Sequence, residues 1–139
     1  MAFTGNFACN TFKTGLMNGT FDFTTDTFYM ALYTNEATLN PATTAYTATG
    51  EVVADGYTAG GLALTITQTP TIGNSPNTTA YISFANAEWT GAITARGALI
   101  YTSGGAVCVL DFGSNKTSAA TFTVQFPAST NTSAIIRIA

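Results

Sequence analysis

The sequence predicts an all-β protein, an antiparallel β-sandwich of the jelly-roll or Ig-like kind with about seven to eight strands and a short N-terminal helix. Three observations predict it. Apolar residues recur with period two along most of the 139-residue chain. Threonine supplies about a fifth of the residues, and its β-branched side chain fits a pleated strand and disfavours a helix. Turn signals rich in Gly, Pro and Asn interrupt the alternation at short intervals. The length fits a single domain over residues 1–139, with an N-terminal arm and helix over about the first 20 residues.

The one helical pattern lies near the start. Asn10 or Thr11 is a suitable cap. Phe12, Leu16 and Met17 form an apolar face, Gly15 weakens it, and Asn18-Gly19 ends it. Thr27 to Tyr33 then alternates Phe28, Met30 and Leu32 with Tyr29, Ala31 and Tyr33. Both faces are apolar, which predicts a central strand covered on both sides. Asn35 to Tyr57 is weakly patterned, with turn signals at Asn40-Pro41 and Asp55-Gly56 and room for a short strand at Glu51-Val52-Val53. After a glycine hinge at Gly60-Gly61, Leu62, Leu64 and Ile66 predict one face of a strand that stops at Pro70.

Ala80 to Ala85 is the next strand, and Glu88-Trp89 follows the break at Asn86. Ala95–Tyr101 and Ala106–Phe112, joined by Thr102-Ser103-Gly104-Gly105, form the clearest hairpin. Thr121 to Phe126 turns Phe122, Val124 and Phe126 inward, and Pro127 ends it. Ala134 to Ala139 is a last strand.

Charged residues are 8% of the chain, against about 25% in ordinary domains. A neutral polar surface is desolvated in a contact without stranding an ion, and its binding is insensitive to salt. The four basic residues, Lys13, Arg96, Lys116 and Arg137, are dispersed. Neither a phosphate-tracking groove nor a basic membrane-binding face is expected, so nucleic acid and membrane are excluded as partners. The N-terminal residues lack the basic and apolar regions of a secretory signal. Cys9 and Cys108 are expected to be free thiols, with Cys108 in an apolar strand.

No catalytic, cofactor or metal site is expected. Histidine is absent, which removes the commonest general base and metal ligand. The carboxylates do not pair in the sequence as a glycosidase requires. Glu88 beside Trp89 is the most sugar-site-like arrangement, but a strand-end acid next to a packed indole explains it better. Asp111 is placed to pair with Arg96 or Arg137. Tyr46, Tyr57 and Trp89 fall at predicted loops or strand ends, where such side chains serve as binding anchors or as caps on the sandwich. Phe3 and Phe7 mark an arm that docks on this domain, a neighbour or a partner. These five aromatics are the candidate contact residues.

Several segments resemble small virion structural proteins of tailed phages. They are Phe28-Tyr29-Met30-Ala31-Leu32-Tyr33-Thr34, Ala37-Thr38-Leu39-Asn40, Thr44-Ala45-Tyr46-Thr47, Gly50-Glu51-Val52 with Gly56-Tyr57-Thr58-Ala59-Gly60-Gly61, Arg96-Gly97-Ala98-Leu99-Ile100-Tyr101 and Val109-Leu110-Asp111-Phe112-Gly113. The resemblance implies a component of the virion, made in the host cytoplasm, and within that class a head decoration (cement) protein. Such a protein binds the major capsid protein and its own copies, with a trimer favoured. The N-terminal arm and the Asn35–Tyr57 loop are then the expected contact segments. The alternative is a tail or fibre component that binds a host-surface glycan through Tyr57 and Trp89. The resemblance implies no enzymatic activity and no cofactor.

Overall fold

A computed structural model describes residues 3–74 and 77–139, and in these the protein is mostly β with antiparallel sheets. Ten strands and one helix follow in the order β1 (Phe7–Ala8), α1 (Asn10–Asn18), β2 (Tyr29–Tyr33), β3 (Leu62–Ala63), β4 (Ile66–Ile72), β5 (Ala80–Phe84), β6 (Ala87–Thr90), β7 (Thr94–Thr102), β8 (Gly105–Thr117), β9 (Thr121–Val124) and β10 (Ile136–Ile138). A five-stranded sheet has the order β1-β8-β7-β2-β3, a three-stranded sheet β10-β5-β4, and β6 pairs with β9.

The β7–β8 hairpin is the spine. Its turn closes with Thr102 opposite Gly105, leaving Ser103-Gly104 as the two-residue tip. Leu99 pairs with Val109 and Ile100 with Cys108, but Tyr101 pairs with Ala106. Val107 is therefore the extra residue of a bulge, and Val107 and Cys108 face the same side despite being consecutive.

β2 lies beside β7 with Met30 opposite Ile100 and Ala31 opposite Leu99. Met30, Ala31, Leu32 and Tyr33 are all fully buried, as the two-faced apolar pattern predicts. On one face Met30, Leu32, Ala98 and Ile100 meet Ile82 and Phe84 of β5, Trp89 of β6, Phe122 of β9 and Phe12 of α1. On the other, Ala31, Tyr33, Leu99 and Val109 meet Phe3, Cys9, Ala37 and Leu39, which belong to the N-terminal arm and the long loop. One side of the central sheet is thus covered by sheets and the helix, and the other by irregular chain.

Several elements differ from expectation. The strand expected from Leu62 is two strands, because the chain crosses between sheets at Leu64, whose N–H donates to the Phe28 carbonyl. Pro70 does not stop β4. It lies within the second of two register shifts, between Gln68 and Thr71 on an edge strand, where its missing N–H costs no ladder bond. Glu51 forms a single bridge with Tyr33 rather than a strand. These splits raise the count above the seven or eight expected.

The helix begins one residue before the predicted caps, with Cys9 extended at the N-cap position and Asn10 and Thr11 inside the first turn. Gly19 ends it in the left-handed conformation, at φ 79°. Phe12 is buried, but Leu16 is 37% and Met17 84% exposed, so the expected apolar face is only partly used. Gly15 has a packing role: the Phe21 ring occupies the space that a Cβ there would need.

On propensity alone, Gly15→Ala stabilises a helix by about 1 kcal/mol. Here the substitution is expected to destabilise the protein by ~1–3 kcal/mol through overpacking. Urea unfolding of the variant checks this; an increase in stability would contradict the Gly15–Phe21 contact.

Candidate functional site

The described residues contain no group of three or more His, Cys, Asp or Glu side chains able to hold a metal ion. Glu88 points outward from β6 with Thr123 opposite it, so no second carboxylate faces it across the ladder. Asp111 pairs with Arg96, the first of its two expected partners, and both side chains are largely buried. Asp22 accepts hydrogen bonds from the Thr24 amide (2.8 Å) and hydroxyl (2.5 Å), and these bonds hold its carboxyl below the usual range. It is a turn residue, as its position before β2 suggests.

The most organised polar cluster is built around Glu51, which is 8% exposed. Its Oε1 accepts hydrogen bonds from the Tyr57 hydroxyl (2.7 Å) and the Gly60 amide (2.6 Å), and its Oε2 accepts one from the Tyr46 hydroxyl (2.5 Å). The Tyr57 oxygen in turn accepts the Leu32 N–H at 2.8 Å. The Val52 amide donates to the Leu32 carbonyl at 3.0 Å, and the Thr34 amide to the Gly50 carbonyl at 2.8 Å. Tyr101 donates to the Gly60 carbonyl at 2.6 Å, and Tyr33 to the Thr47 carbonyl at 2.7 Å. The cluster thus closes the edge of β2 beyond β3 and ties residues 46–61 to it. Gly61 is required for the same junction: its φ is +78° and the Met30 carbonyl stands where a Cβ would be. Charge-assisted bonds of this kind are strong, and both carboxylate oxygens are occupied. The arrangement holds chain in place and does not present a free base.

Burial, and hydrogen bonding to the Glu51 carboxylate, keep these tyrosines protonated. Tyr46 is pushed up to about 12, chiefly by its bond to Glu51. Burial raises Tyr57, Tyr33 and Tyr101. It also pushes the Cys9 thiol up to about 11 and the Cys108 thiol up to about 12. The two cysteines are free, as expected. Ala8 lies opposite Cys108, so the chains are adjacent, but Cys9 packs with one core cluster and Cys108 with the other. Their side chains leave opposite faces of the sheet.

The five expected contact aromatics are not gathered in one place. Phe3 is 1% exposed and lies beneath Arg96, whose guanidinium carbon is 5.5 Å from the ring centroid. The absence of a side chain at Gly97 makes room for it, and Asn6 Oδ1 accepts the Asp111 N–H at 2.6 Å. The arm therefore docks on its own domain, and Phe7 packs half-buried against the same cluster. Trp89 is 5% exposed, because β6 alternates and pairs it with Phe122 on the inner face. Among the described residues its indole N–H has no partner. Tyr57 is half-buried, 6.0 Å from Trp89, with its hydroxyl committed to Glu51. Tyr46 is half-buried as well, with its hydroxyl on Glu51, but its ring packs in a group of tyrosines.

That group is a row that the sequence does not single out. Tyr29 and Tyr101 are register partners with ring centroids 5.6 Å apart, and Tyr101 is 5.1 Å from Tyr46. Tyr29, at the end of the row, is 37% exposed. Residues 29 and 101 read as strand residues, and only the β2–β7 register brings them together. No protein-family model, curated protein or solved structure matches this chain. No described helix is long and apolar enough to cross a membrane.

Glu51→Gln is expected to cost ~1–3 kcal/mol, since an amide nitrogen cannot accept from the hydroxyl or N–H donors that converge there. Glu36→Gln, at an exposed site, is the neutral control in the same urea titration. A second expectation concerns alkali. The raised thiol and tyrosine values mean that the unfolded chain releases these protons at lower pH than the native one. Stability should therefore fall as pH rises from ~9 through the tyrosine range, and below that window these groups contribute no pH dependence. Melting temperatures that rise or stay level from pH 9 to pH 12 would contradict the burial of these groups.

Proposed function

We propose that the protein is a structural component of a tailed-phage virion, a head decoration (cement) protein that binds the outer surface of the major capsid protein as a homo-oligomer, with a trimer favoured. The resemblance in sequence supports the particle. The segments that carry it are frame: β2, the loop held by Glu51, and the Arg96–Asp111 pair linking β7 to β8. The observation that carries a contact function is the row Tyr29–Tyr101–Tyr46 on a charge-poor surface. Tyrosine gives a large apolar face with a polar edge and is a frequent anchor of interfaces. A surface of this kind is desolvated without stranding charge. Many copies, each burying a modest area, add up to a clamp on the shell.

The same row favours one competing reading, a tail or fibre component that stacks a host-surface glycan. Burial of Trp89 removes the platform first expected for it, so that reading now rests on Tyr29 and Tyr101.

Co-sedimentation with expanded capsids tests the proposal. The protein should pellet with them, and its affinity should change little with added salt because few charges are involved. Tyr29→Ala should weaken binding about tenfold, the scale of an interface anchor, with a loss of stability of only ~1 kcal/mol from the stacked pair with Tyr101, so that the variant stays folded in the assay. Absence from the capsid pellet would overturn the proposal, and labelling of tails alone in electron micrographs would favour the competing reading.

A further inference from the structure

Two of the chain's four basic residues, Lys13 and Arg137, line one groove of about 470 Å³. It runs between α1, β1 and β8 on one side and the segment leading into β10 on the other. Phe12, Leu16, Leu110 and Ile136 give it an apolar lining, and no Asp or Glu contributes. Lys13 and Arg137 are exposed, and neither has an ion-pair partner among the described residues, where Arg96–Asp111 is the pair formed. Asp22, which stays ionised, lines the neighbouring hollow beyond Leu16 and not this groove. In a chain with net charge −3, this is an apolar groove of solely positive charge.

The groove is also bordered by open strand edges. β1 is the last strand of the five-stranded sheet and covers β8 only at Cys108 and Val109. β10 is the last strand of the three-stranded sheet. Each edge offers backbone groups to a further strand. At the rim, Ile138 is 54% exposed.

We propose that this groove binds an extended segment of a partner protein as an added strand, with apolar residues at alternate positions and carboxylates between them. The edge supplies backbone hydrogen bonds and the apolar lining receives every second side chain. Lys13 and Arg137 select for acidic residues and repel basic ones. A helix would leave the edges unpaired, and a wholly aliphatic strand would leave both cations without a counter-charge. The inference stands apart from the placement on a phage particle.

The probe is a capped, fluorescein-labelled octapeptide with Val at every second position and two Glu and two Thr between, compared with the same peptide carrying Lys for Glu. By fluorescence anisotropy at low salt, the acidic peptide should bind about tenfold tighter than the basic one. The double variant Lys13→Glu/Arg137→Glu should reverse that order; both side chains are exposed, so its melting temperature should match the parent's. Amide shifts on titration should centre on Leu110 and Ile136. Equal affinity for the two peptides, no binding up to about 1 mM, or shifts centred elsewhere would overturn the proposal. So would concentration-dependent self-association that Leu16→Asp abolishes, since the occupant would then be a second copy.

Discussion

The constraint on which the structure depends is that the β2–β7–β8 layer is apolar on both faces. Neither side can be left to water. The small sheets and α1 cover one side, but among the described residues no further regular element covers the other. The N-terminal arm and residues 35–61 must serve as a layer. Irregular chain in that role lacks a ladder to satisfy its backbone groups. The Glu51 network answers that requirement, joining Tyr46, Tyr57 and the Gly60 amide to a strand whose Leu32 amide meets Tyr57. The arm is held by packing of Phe3 between Arg96 and Gly97 and by Asn6, whose Oδ1 accepts the Asp111 N–H.

This division bears on function. Most of the conspicuous aromatics are consumed in making the second layer, so conspicuousness in sequence does not translate into exposure. What reaches the surface is the Tyr29 end of a tyrosine row, and separately a groove between two strand edges with Lys13 and Arg137 beside it. These two features are the surfaces on which the proposed contacts rest. A charge-poor exterior and a partner-binding role are compatible because uncharged polar groups are shed from water at lower cost than ions.

The legible part of the fold was the part governed by local periodicity. Alternation over Thr27–Tyr33 marks a strand covered on both sides, and Gly104 marks the tip of the long hairpin. Alternation alone does not report which sheet a strand joins, so the crossover at Leu64 and the passage of β4 through Pro70 were hidden. The role of Glu51 was hidden for a related reason: a lone acid in a weakly patterned stretch looks solvated until the partners at 46, 57 and 60 are folded onto it. Trp89, beside a break, reads from sequence as a contact anchor or as a packed indole, and pairing with Phe122 turns it inward as the second of these. The Tyr29–Tyr101 contact depends on the β2–β7 register between residues 72 positions apart in the chain, which no local pattern encodes.

The claim that residues 35–61 form a structural layer is tested most directly by native-state hydrogen exchange. The amides of Leu32, Val52 and Gly60 should exchange only on global unfolding, with the same protection as Leu99 and Val109 in the central hairpin. Exchange of Val52 and Gly60 through local opening, while the hairpin stays protected, would contradict it.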